Sequence, residues 1–275
     1  MTATAAPAAV SVADIARKPR RFGAFYIAEH RIRGVRAWWK TFVITAVGNP
    51  LLYLVSLGVG LATLVPRGVE GVPYVVFVAP ALLVTAAVTA AAEESTYPYL
   101  MGFKWNPIFF ATNAAPLTGA QIAQGMALAI GFRVVITAVV YYVVVVAFGA
   151  VLLPLTGWLA IPAAVLAGMA LSSLITAFTA TVTEDKGQMA VIMRVVVMPL
   201  FLFSGTFFPL TQLPAWLQWI GWISPIWHGT QLGRDATYGL GEPMWLAMLH
   251  VVYLAVLAVG GLLRTQQVIT RRLDR

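Results

Sequence analysis

Three ionisable side chains lie in apolar stretches of this chain, where a charge facing lipid would cost free energy. Glu93 and Glu94 end one apolar run, and Arg133 lies well inside the next run along the sequence. Ionisable groups in such positions usually pair with one another or contact a transported substrate. If the two helices pack as an antiparallel hairpin, Arg133 reaches Glu94. We interpret this pair as structural, with contact to a substrate or a gate as the alternative.

Motifs for catalysis are missing from the sequence. None of the four lysines follows a glycine, so the phosphate-binding motif G-x-x-x-x-G-K-[ST] does not occur. The histidines His30, His228 and His250 form no H-E-x-x-H pair, and without cysteine we expect no metal site. A G-x-S-x-G nucleophile elbow is also absent. The chain is therefore predicted not to be an enzyme, and His250 is expected to hydrogen-bond another helix rather than carry protons.

The composition is that of a membrane protein rather than a soluble domain. Hydrophobic residues fill 60% of the 275 positions and charged residues only 10%, whereas soluble domains have about 25% charged residues. The mean hydropathy is +0.84. The formal net charge of +8 comes mostly from arginines and lysines in the first 40 residues and at the carboxyl end. That distribution is typical of cytoplasmic segments and not of nucleic-acid binding.

Six apolar runs are long enough to enter or cross a bilayer, which takes ~20 residues of helix. An even number of spans returns the carboxyl end to the side of the basic amino end, so we predict that both termini are cytoplasmic. Residues 1–21 are predicted to form a disordered cytosolic tail, and the basic, aromatic segment Phe22–Lys40 a helix in the cytoplasmic interface. The six runs are Thr41–Val65, Tyr74–Ala92, Ile122–Leu153, Trp158–Thr181, Met189–Gly205 and Trp245–Leu263.

Between the fifth and sixth runs lies a tryptophan-rich segment, residues 206–227, that is interrupted by prolines. Trp216, Trp219 and Trp222 recur every three residues, and tryptophan favours the headgroup level of a membrane. Because the segment is too broken to span, we predict a re-entrant pair of short helices on the extracellular face. The sequence thus predicts an all-α polytopic membrane protein with six transmembrane helices, an amino-terminal interfacial helix and this re-entrant pair.

The loop between the second and third runs, residues 95–119, is unusually aromatic for a solvated connection. Lys104 is its one charged residue. One interpretation is anchoring to lipid headgroups. The other is a docking helix whose aromatic side chains fill a pocket on a cytosolic partner. The residues alone favour neither.

Taken together, these features resemble the permease subunits of ABC-2 type exporters, a family that carries drugs, lipo-oligosaccharides and polysaccharides and includes the nodulation-factor permease. The sharpest match is LFLFSGTFFPLTQLPAWLQWIGWISPIWHG, residues 200–229, with an S-G-x-x-[FY]-P step followed by L-P-x-W-L-Q and S-P-x-x-H. A second match is EES…TNAAPLTGAQIAQG, residues 93–125, although TYPYLMGFKWNP stands where the family usually has G-T-L-E. The third match is the six-span layout. The resemblance covers most of the chain from residue 22 onward.

The resemblance implies a subunit of a larger assembly. Family permeases pair with an identical or related copy and bind two cytosolic ATPase subunits. Those subunits would hold ATP and Mg²⁺, and this chain is expected to bind no cofactor itself. The loop of residues 95–119 would be the coupling helix that contacts the ATPase, through Phe103, Lys104, Trp105, Asn106, Phe109 and Phe110. The extracellular gate would be formed by Phe207, Phe208, Trp216, Trp219, Trp222 and Trp227.

The implied function is outward transport of an amphipathic or hydrophobic substrate, such as a drug, lipid or glycolipid, across the inner membrane of a bacterium. The composition, which is rich in Ala and Val and has many more arginines than lysines, suggests a high-GC bacterium. Membrane lipid is an expected partner and nucleic acid is not. Two alternatives stay open: a secondary transporter or channel subunit, and a membrane assembly subunit without transport of its own. Secondary transporters usually place acidic or unwound sites at the midplane, often within inverted repeats, and neither is evident here. Association with an ATPase would separate the exporter from both alternatives.

Overall fold

The computed structural model describes residues 12–35, 40, 44, 48–49, 51–64 and 66–274, and within these residues the chain is largely helical. Their one extended pairing is an isolated bridge between Val69 and Val72. Helices suit a chain in lipid because each helix satisfies its own backbone hydrogen bonds. The longer helices are α1 (Val12–Val35), α2 (Tyr74–Ser95), α3 (Gly119–Ala147), α4 (Ala160–Thr179), α5 (Gln188–Phe203), α6 (Ala215–Trp222), α7 (Pro225–Tyr238) and α8 (Met244–Leu273). Shorter helical segments are Tyr97–Met101, Ile108–Asn113, Pro154–Gly157 and Leu210–Gln212.

Four of the described helices are long and apolar enough to cross a membrane: α2 with its continuation to Met101, α3, α4 with the turn before it, and α8. Helix α5 is apolar but shorter. The chain is therefore an all-helical polytopic membrane protein, as the composition predicted. Helix α3 ends at Ala147 rather than at the predicted Leu153, because the chain turns at Gly149, where φ is 67°. Helix α8 continues to Leu273, past the predicted end at Leu263.

Helix α4 packs against α2, α7 and α8, and α2 is the most deeply buried of the four long apolar helices. Small residues let such helices approach closely, as is common in membranes. A Cβ on Gly261 of α8 would lie 2.4 Å from Ser173 Oγ of α4. One turn further along, the hydroxyl oxygens of Thr176 and Thr265 lie 3.1 Å apart. Close backbone approach and hydroxyl pairs therefore hold α4 to α8.

Helix α1 begins at Val12, so it already includes residues 12–21, which were predicted to belong to a disordered tail. The described helix therefore starts earlier than the predicted boundary at Phe22. The backbone breaks at Phe22 (φ −118°, ψ 18°), where the interfacial helix was predicted to start. Beyond the break α1 packs along α3, and a Cβ on Gly125 would lie 2.6 Å from the carbonyl oxygen of Ala24. Residues 1–11 and 36–39 lie outside the described part of the chain.

Two helical stretches depart from α-helical geometry. The first predicted span, Thr41–Val65, lies partly outside the described residues, but its latter half includes a π-helical segment, Leu54–Gly60, and a 3-10 turn, Leu61–Leu64. Helix α5 contains a second π-helical segment, Ile192–Val197. Such wide turns are rare and occur frequently at functional sites. The second segment lines the cavity described below through Met193 and Val197, and the first directly follows Tyr53, which also lines it.

Candidate functional site

An ion-pair cluster joins three helices beside the loop of residues 96–118. From α3, the Arg133 guanidinium contacts both carboxylates at the end of α2: Nη1 contacts Glu94 Oε1, and Nη2 lies 3.3 Å from Glu93 Oε2. From α1, Arg31 Nη2 lies 3.0 Å from the other oxygen of Glu94. The predicted pair of Arg133 with Glu94 is confirmed, because α2 and α3 pack side by side. Arg31 was not predicted to join it, since no local pattern relates α1 to the end of α2.

This charged cluster (Arg31, Glu93, Glu94 and Arg133) is balanced in charge but unevenly exposed. Glu94 has 15% of its side chain exposed and an arginine at each carboxylate oxygen. Glu93 is 51% exposed and contacts Arg133 through one oxygen. Removing one member of a buried ion pair leaves the other charge uncompensated. The cluster therefore ties α1 to the α2–α3 hairpin, and Glu93 presents its carboxylate to the adjoining cavity.

A cavity of about 1130 Å³ lies next to the charged cluster. Its walls come from α1, α2, α3, α5, the 96–118 loop and positions 49 and 53. Ligand cavities are commonly ~300–1,000 Å³, so this volume accommodates a sizeable amphiphile. Polar side chains follow one another at four-residue spacing, which places them on one face of each helix. These stripes are Thr85, Thr89 and Glu93 on α2, and Arg133, Thr137 and Tyr141 on α3.

The cavity wall combines these polar stripes with apolar surface. Leu82, Met126 and Phe201 contribute to the apolar part. Tyr141 is 1% exposed, and its hydroxyl has no hydrogen-bond partner among the described residues. An unpaired buried hydroxyl costs roughly 1–3 kcal/mol, and a polar group of a molecule in the cavity would relieve that cost. The wall is therefore suited to a molecule with both polar and apolar parts.

Aromatic contacts lie beside the part of the cavity wall that Tyr53 and Phe201 form. Tyr53, just before the first π-helical segment, meets Phe201 of α5 edge to face, with ring centroids 6.3 Å apart. Phe201 in turn packs on Phe207, with centroids 5.0 Å apart. The Tyr74 hydroxyl donates a hydrogen bond to the Phe207 carbonyl oxygen at 3.1 Å. These contacts link the wall residue Phe201 to Phe207 and, through Tyr74, to the start of α2.

The structure divides the six residues predicted to contact an ATPase. Phe103 and Phe109 are 5% and 4% exposed, and their ring centroids lie 4.8 Å apart. The Arg272 guanidinium at the end of α8 lies 3.9 Å from the Phe103 ring centroid. The prediction that these two phenylalanines are exposed anchors is therefore wrong, because the chain uses them in its own core.

The other four predicted contact residues remain exposed. Trp105 is 53% exposed and Phe110 44%. The Trp105 ring stacks on Tyr97, with centroids 6.3 Å apart, which orients it on the surface of the 96–118 loop. Lys104 and Asn106 are exposed beside Trp105. The surface available to a partner is therefore smaller than predicted and centres on Trp105.

The six residues predicted to form an extracellular gate also separate into two sets. The short helix α6 exposes three tryptophans, with exposures of 72% for Trp216, 53% for Trp219 and 54% for Trp222. This exposed aromatic face is typical of contact with lipid headgroups. The other three, Phe207, Phe208 and Trp227, are half-buried against the helix bundle. The structure therefore does not bring the six side chains together.

Arg234 is a site residue that the sequence did not single out. It lies in α7 and is 2% exposed. Its Nη2 donates a hydrogen bond to the Gly205 carbonyl oxygen at 2.8 Å, and its guanidinium lies 3.7 Å from the Phe77 ring centroid. The side chain thus fastens α7 to the end of α5 and to α2. Its spacing from Gln231 and His228 on α7, three residues each, was the one available signal of a shared face.

Two histidines form the centre of a buried polar chain between α6, α7 and α8. His228 Nε2 lies 3.0 Å from the Trp222 carbonyl oxygen, and His228 Nδ1 lies 2.6 Å from His250 Nδ1. His250 Nε2 lies 3.1 Å from Glu242 Oε2. The prediction that His250 hydrogen-bonds another helix is confirmed. We call the Trp222 carbonyl, His228, His250 and Glu242 the histidine chain.

Glu242 lies in the loop before α8, and its pKa is lowered. Burial alone would raise the pKa, but hydrogen bonds from His250 and Gln231 and the positive charges of His250 and Arg234 outweigh burial. The Gln231 amide donates to Glu242 Oε1 at 2.7 Å. Glu242 is therefore a carboxylate held in its ionised form beside an imidazole.

The family model for ABC-2 type transporters matches residues 31–238. That range includes the charged cluster, the 96–118 loop and the pair formed by α6 and α7. The chain belongs to the ABC-2 type transporter family. The resemblance seen in the sequence is confirmed. As an ABC-2 type permease the chain is a membrane transport component rather than a catalytic subunit, and members of this family normally pair with a cytosolic ABC ATPase.

Several rhizobial proteins are similar to this ABC-2 permease over most of its length. It is 30% identical over 250 residues to Nodulation protein J of Rhizobium leguminosarum bv. viciae, which covers 88% of this chain and 93% of that protein. It is 28% identical over 248 residues to Nodulation protein J of Rhizobium meliloti (strain 1021), covering 88% and 91%. The protein of the same name from Neorhizobium galegae is 26% identical over 250 residues, covering 88% and 92%. The family and these relatives indicate a bacterial inner-membrane protein.

Proposed function

We propose that this chain is the permease subunit of an ATP-driven exporter that moves an amphipathic substrate outward from the cytoplasmic side of the membrane. The observation that carries the proposal is the cavity of about 1130 Å³, which is lined by the 96–118 loop, the charged cluster and the polar stripes of α2 and α3. Its charged cluster and polar stripes suit a polar head, and its apolar wall suits a hydrocarbon or ring system. Drugs, lipids and glycolipids share this chemistry.

The proposed topology has six spans with both termini in the cytoplasm. Four of the spans are the long apolar helices, and the other two are the segment Thr41–Val65 and α5. Helices α6 and α7 have 8 and 14 residues, fewer than the ~20 that cross a bilayer, which supports a re-entrant pair on the outer face. The arginines of α1 and of the end of α8 then lie on the cytoplasmic side, in keeping with the positive-inside rule.

The proposed partners are two cytosolic ATPase subunits, which bind ATP and Mg²⁺, and a second permease that is identical or related. The 96–118 loop supports the first partner, because Trp105 and Phe110 expose aromatic surface beside Lys104. Exposed aromatic side chains are the usual anchors of protein interfaces. The charged cluster links α1 to the same end of the molecule, so movement of a bound ATPase would reach the cavity wall directly.

Purification of the tagged protein from its native membrane in mild detergent tests this assignment. We expect a stoichiometric cytosolic ATPase in the complex, and we expect Trp105→Ala combined with Phe110→Ala to reduce its yield at least several-fold. The matched control is Trp158→Ala, because Trp158 is 55% exposed but precedes α4 on the opposite side in the proposed topology. Purified, folded permease without an ATPase would contradict the exporter. Equal losses in the loop variant and the control would contradict docking at Trp105.

A further inference from the structure

The histidine chain has more contacts than its groups have hydrogens. Each of the three contacts, at 3.0, 2.6 and 3.1 Å, is a hydrogen-bond distance and needs one hydrogen between its heavy atoms. The Trp222 carbonyl and an ionised Glu242 have no hydrogen to donate, and a neutral imidazole has one N–H. His228 and His250 in their neutral forms therefore supply two hydrogens for three contacts. One contact would bring two lone pairs together inside a buried interface.

We propose that the histidine chain binds one additional proton in the folded protein, and that this proton holds α6 and α7 against α8. With the proton bound, His228 Nε2 donates to the Trp222 carbonyl, and His250 Nδ1 donates to His228 Nδ1. The third hydrogen lies between His250 Nε2 and Glu242. The chain then has no net charge, which suits a site where His228 and His250 are 5% and 0% exposed.

The charges around the chain agree with this arrangement. Burial lowers the pKa of His228 to about 4, so His228 is the neutral imidazole. The pKa of Glu242 is lowered, which keeps that carboxylate ionised and without a hydrogen to donate. The Tyr253 ring of α8 stacks on His228 with centroids 4.1 Å apart, and its hydroxyl donates to the Ile223 carbonyl oxygen at 2.7 Å. Tyr253 therefore adds no charge to the site.

Arg234 is a further cation close to Glu242. It reaches the histidine chain through Gln231, whose Oε1 lies 3.3 Å from Arg234 Nη1. The remaining titratable groups that face Arg234, and through it the chain, are Glu70, Tyr74 and Tyr238. A chain without the extra proton would carry one negative charge and would be attracted to Arg234. That attraction does not replace the missing hydrogen, because no Arg234 nitrogen lies between the four members.

Loss of the proton leaves one contact without a hydrogen. Either His250 Nε2 then turns a lone pair toward Glu242, or His228 Nε2 turns one toward the Trp222 carbonyl. Repulsion separates α8 from the loop before it in the first case, and α7 from α6 in the second. Glu242 has 12% of its side chain exposed and is the route to solvent, which is extracellular in the proposed topology. The count of hydrogens itself is independent of the transport function.

Nitrogen-15 NMR of the histidine rings tests the count directly. The chain has 3 histidines, and His30→Gln leaves only the two imidazoles of the histidine chain in a histidine-labelled sample in detergent. At neutral pH we expect three N–H groups over the four ring nitrogens, with one ring protonated on both. Raising the pH should remove one of the three. Two N–H groups at neutral pH in a folded sample would overturn the proposal.

Glu242→Gln is the control for the statement that the additional proton holds α6 and α7 against α8. The new amide would donate to His250 Nε2, and its oxygen would accept from Gln231, so the three contacts are satisfied without an extra proton. The chain has no cysteine, so Ala215→Cys on α6 and Leu155→Cys before α4 provide a spin-label pair at exposed positions. We expect the inter-label distance to shift as the pH is raised in the wild-type background and to stay constant with Glu242→Gln. Equal behaviour in both backgrounds, whether both shift or neither does, would contradict the proposal.

Discussion

At the scale of single residues, Glu94 explains why charges persist at the end of an apolar helix. Its two carboxylate oxygens face guanidinium groups from different helices, Arg31 of α1 and Arg133 of α3. A charge in such surroundings is tolerated because each oxygen has a partner. The same pairing adds to the packing of α1 along α3 in holding α1 beside the hairpin. The residue therefore has a structural role even though it lines the cavity.

The Arg133–Glu94 contact predicts a measurable coupling. Arg133→Leu should lower the midpoint of thermal unfolding, followed by tryptophan fluorescence, because it leaves both glutamates with fewer partners. Adding Glu94→Gln should recover part of that loss, with a coupling of about 0.5–3 kcal/mol in a double-mutant cycle. The control cycle is Arg33→Leu with Glu29→Gln, an exposed pair on α1 for which we expect about 0.3–0.5 kcal/mol. Additive effects at Arg133 and Glu94 would show that the contact contributes nothing.

Glu242 gives a prediction on pH. Its lowered pKa means that the ionised form stabilises the fold above the ordinary carboxyl value of 4.5, and that this stabilisation is lost as the pH falls through the lowered pKa. As the pH falls below 4.5, the unfolding midpoint of the wild type should therefore fall relative to that of Glu242→Gln, which cannot titrate there. Midpoints measured at several pH values check this. Parallel curves for the two proteins below 4.5 would be inconsistent with an ionised, stabilising Glu242.

At the scale of elements, the contact between α1 and α3 depends on a glycine. A Cβ on Gly125 would lie 2.6 Å from the Ala24 carbonyl oxygen, whereas a Cβ on Gly131 of the same helix would lie 3.6 Å from its nearest neighbour, Met169 Sδ. Gly125→Ala should therefore push α1 away, at about 1–3 kcal/mol, and speed tryptic cleavage at Arg31. Gly131→Ala is the matched control and should gain up to about 1 kcal/mol from helix propensity. Indistinguishable stabilities and cleavage rates would argue against close docking of α1.

At the scale of the whole molecule, hydropathy predicted the helices that are apolar on every side. Helices α2 and α4 keep close to the predicted bounds because their burial requires continuous apolar sequence. The last ten residues of α8 were not predicted to be part of the span, because their polar and apolar side chains lie on different faces of the helix. Ile269 and Leu273 are buried there, while Arg272 donates hydrogen bonds to the carbonyl oxygens of Ala180 and Val182. A hydropathy average cannot register such a one-sided helix.

The site was predictable only where a local argument existed. Arg133 lies within an apolar helix, where a charge is usually paired, and an antiparallel hairpin of α2 and α3 places Glu94 within its reach. In the 96–118 loop, Phe103 and Trp105 have the same aromatic character, but Phe103 packs on Phe109 and on Arg272 from the far end of the chain, whereas Trp105 is exposed. Contacts of this kind depend on tertiary packing and leave no trace in spacing or composition.

The histidine chain was missed for a geometric reason. His228 and His250 belong to two helices joined by a turn in which Gly239 and Gly241 take φ values of 73° and 79°. Those conformations favour glycine, so the sequence allows the turn without fixing its direction. The sequence therefore indicated that His250 would find a partner, but not which one.

In the proposed exporter, ATP bound to a partner subunit changes the side of the membrane from which the cavity is accessible. Thr89 lines the cavity and is half-buried, and the chain has no cysteine, so Thr89→Cys gives a single thiol there. Leu155→Cys, at a position 91% exposed on the proposed outer side, is the control. The measurement is labelling by a membrane-impermeant thiol reagent in right-side-out and inverted vesicles, with and without trapped ATP and Mg²⁺.

Without nucleotide, we expect the thiol introduced by Thr89→Cys to react from the cytoplasmic side. With ATP trapped, that reaction should fall several-fold and labelling from outside should appear. The thiol introduced by Leu155→Cys should react from outside under both conditions. Labelling of the cavity thiol that is the same with and without ATP would contradict an ATP-driven exporter.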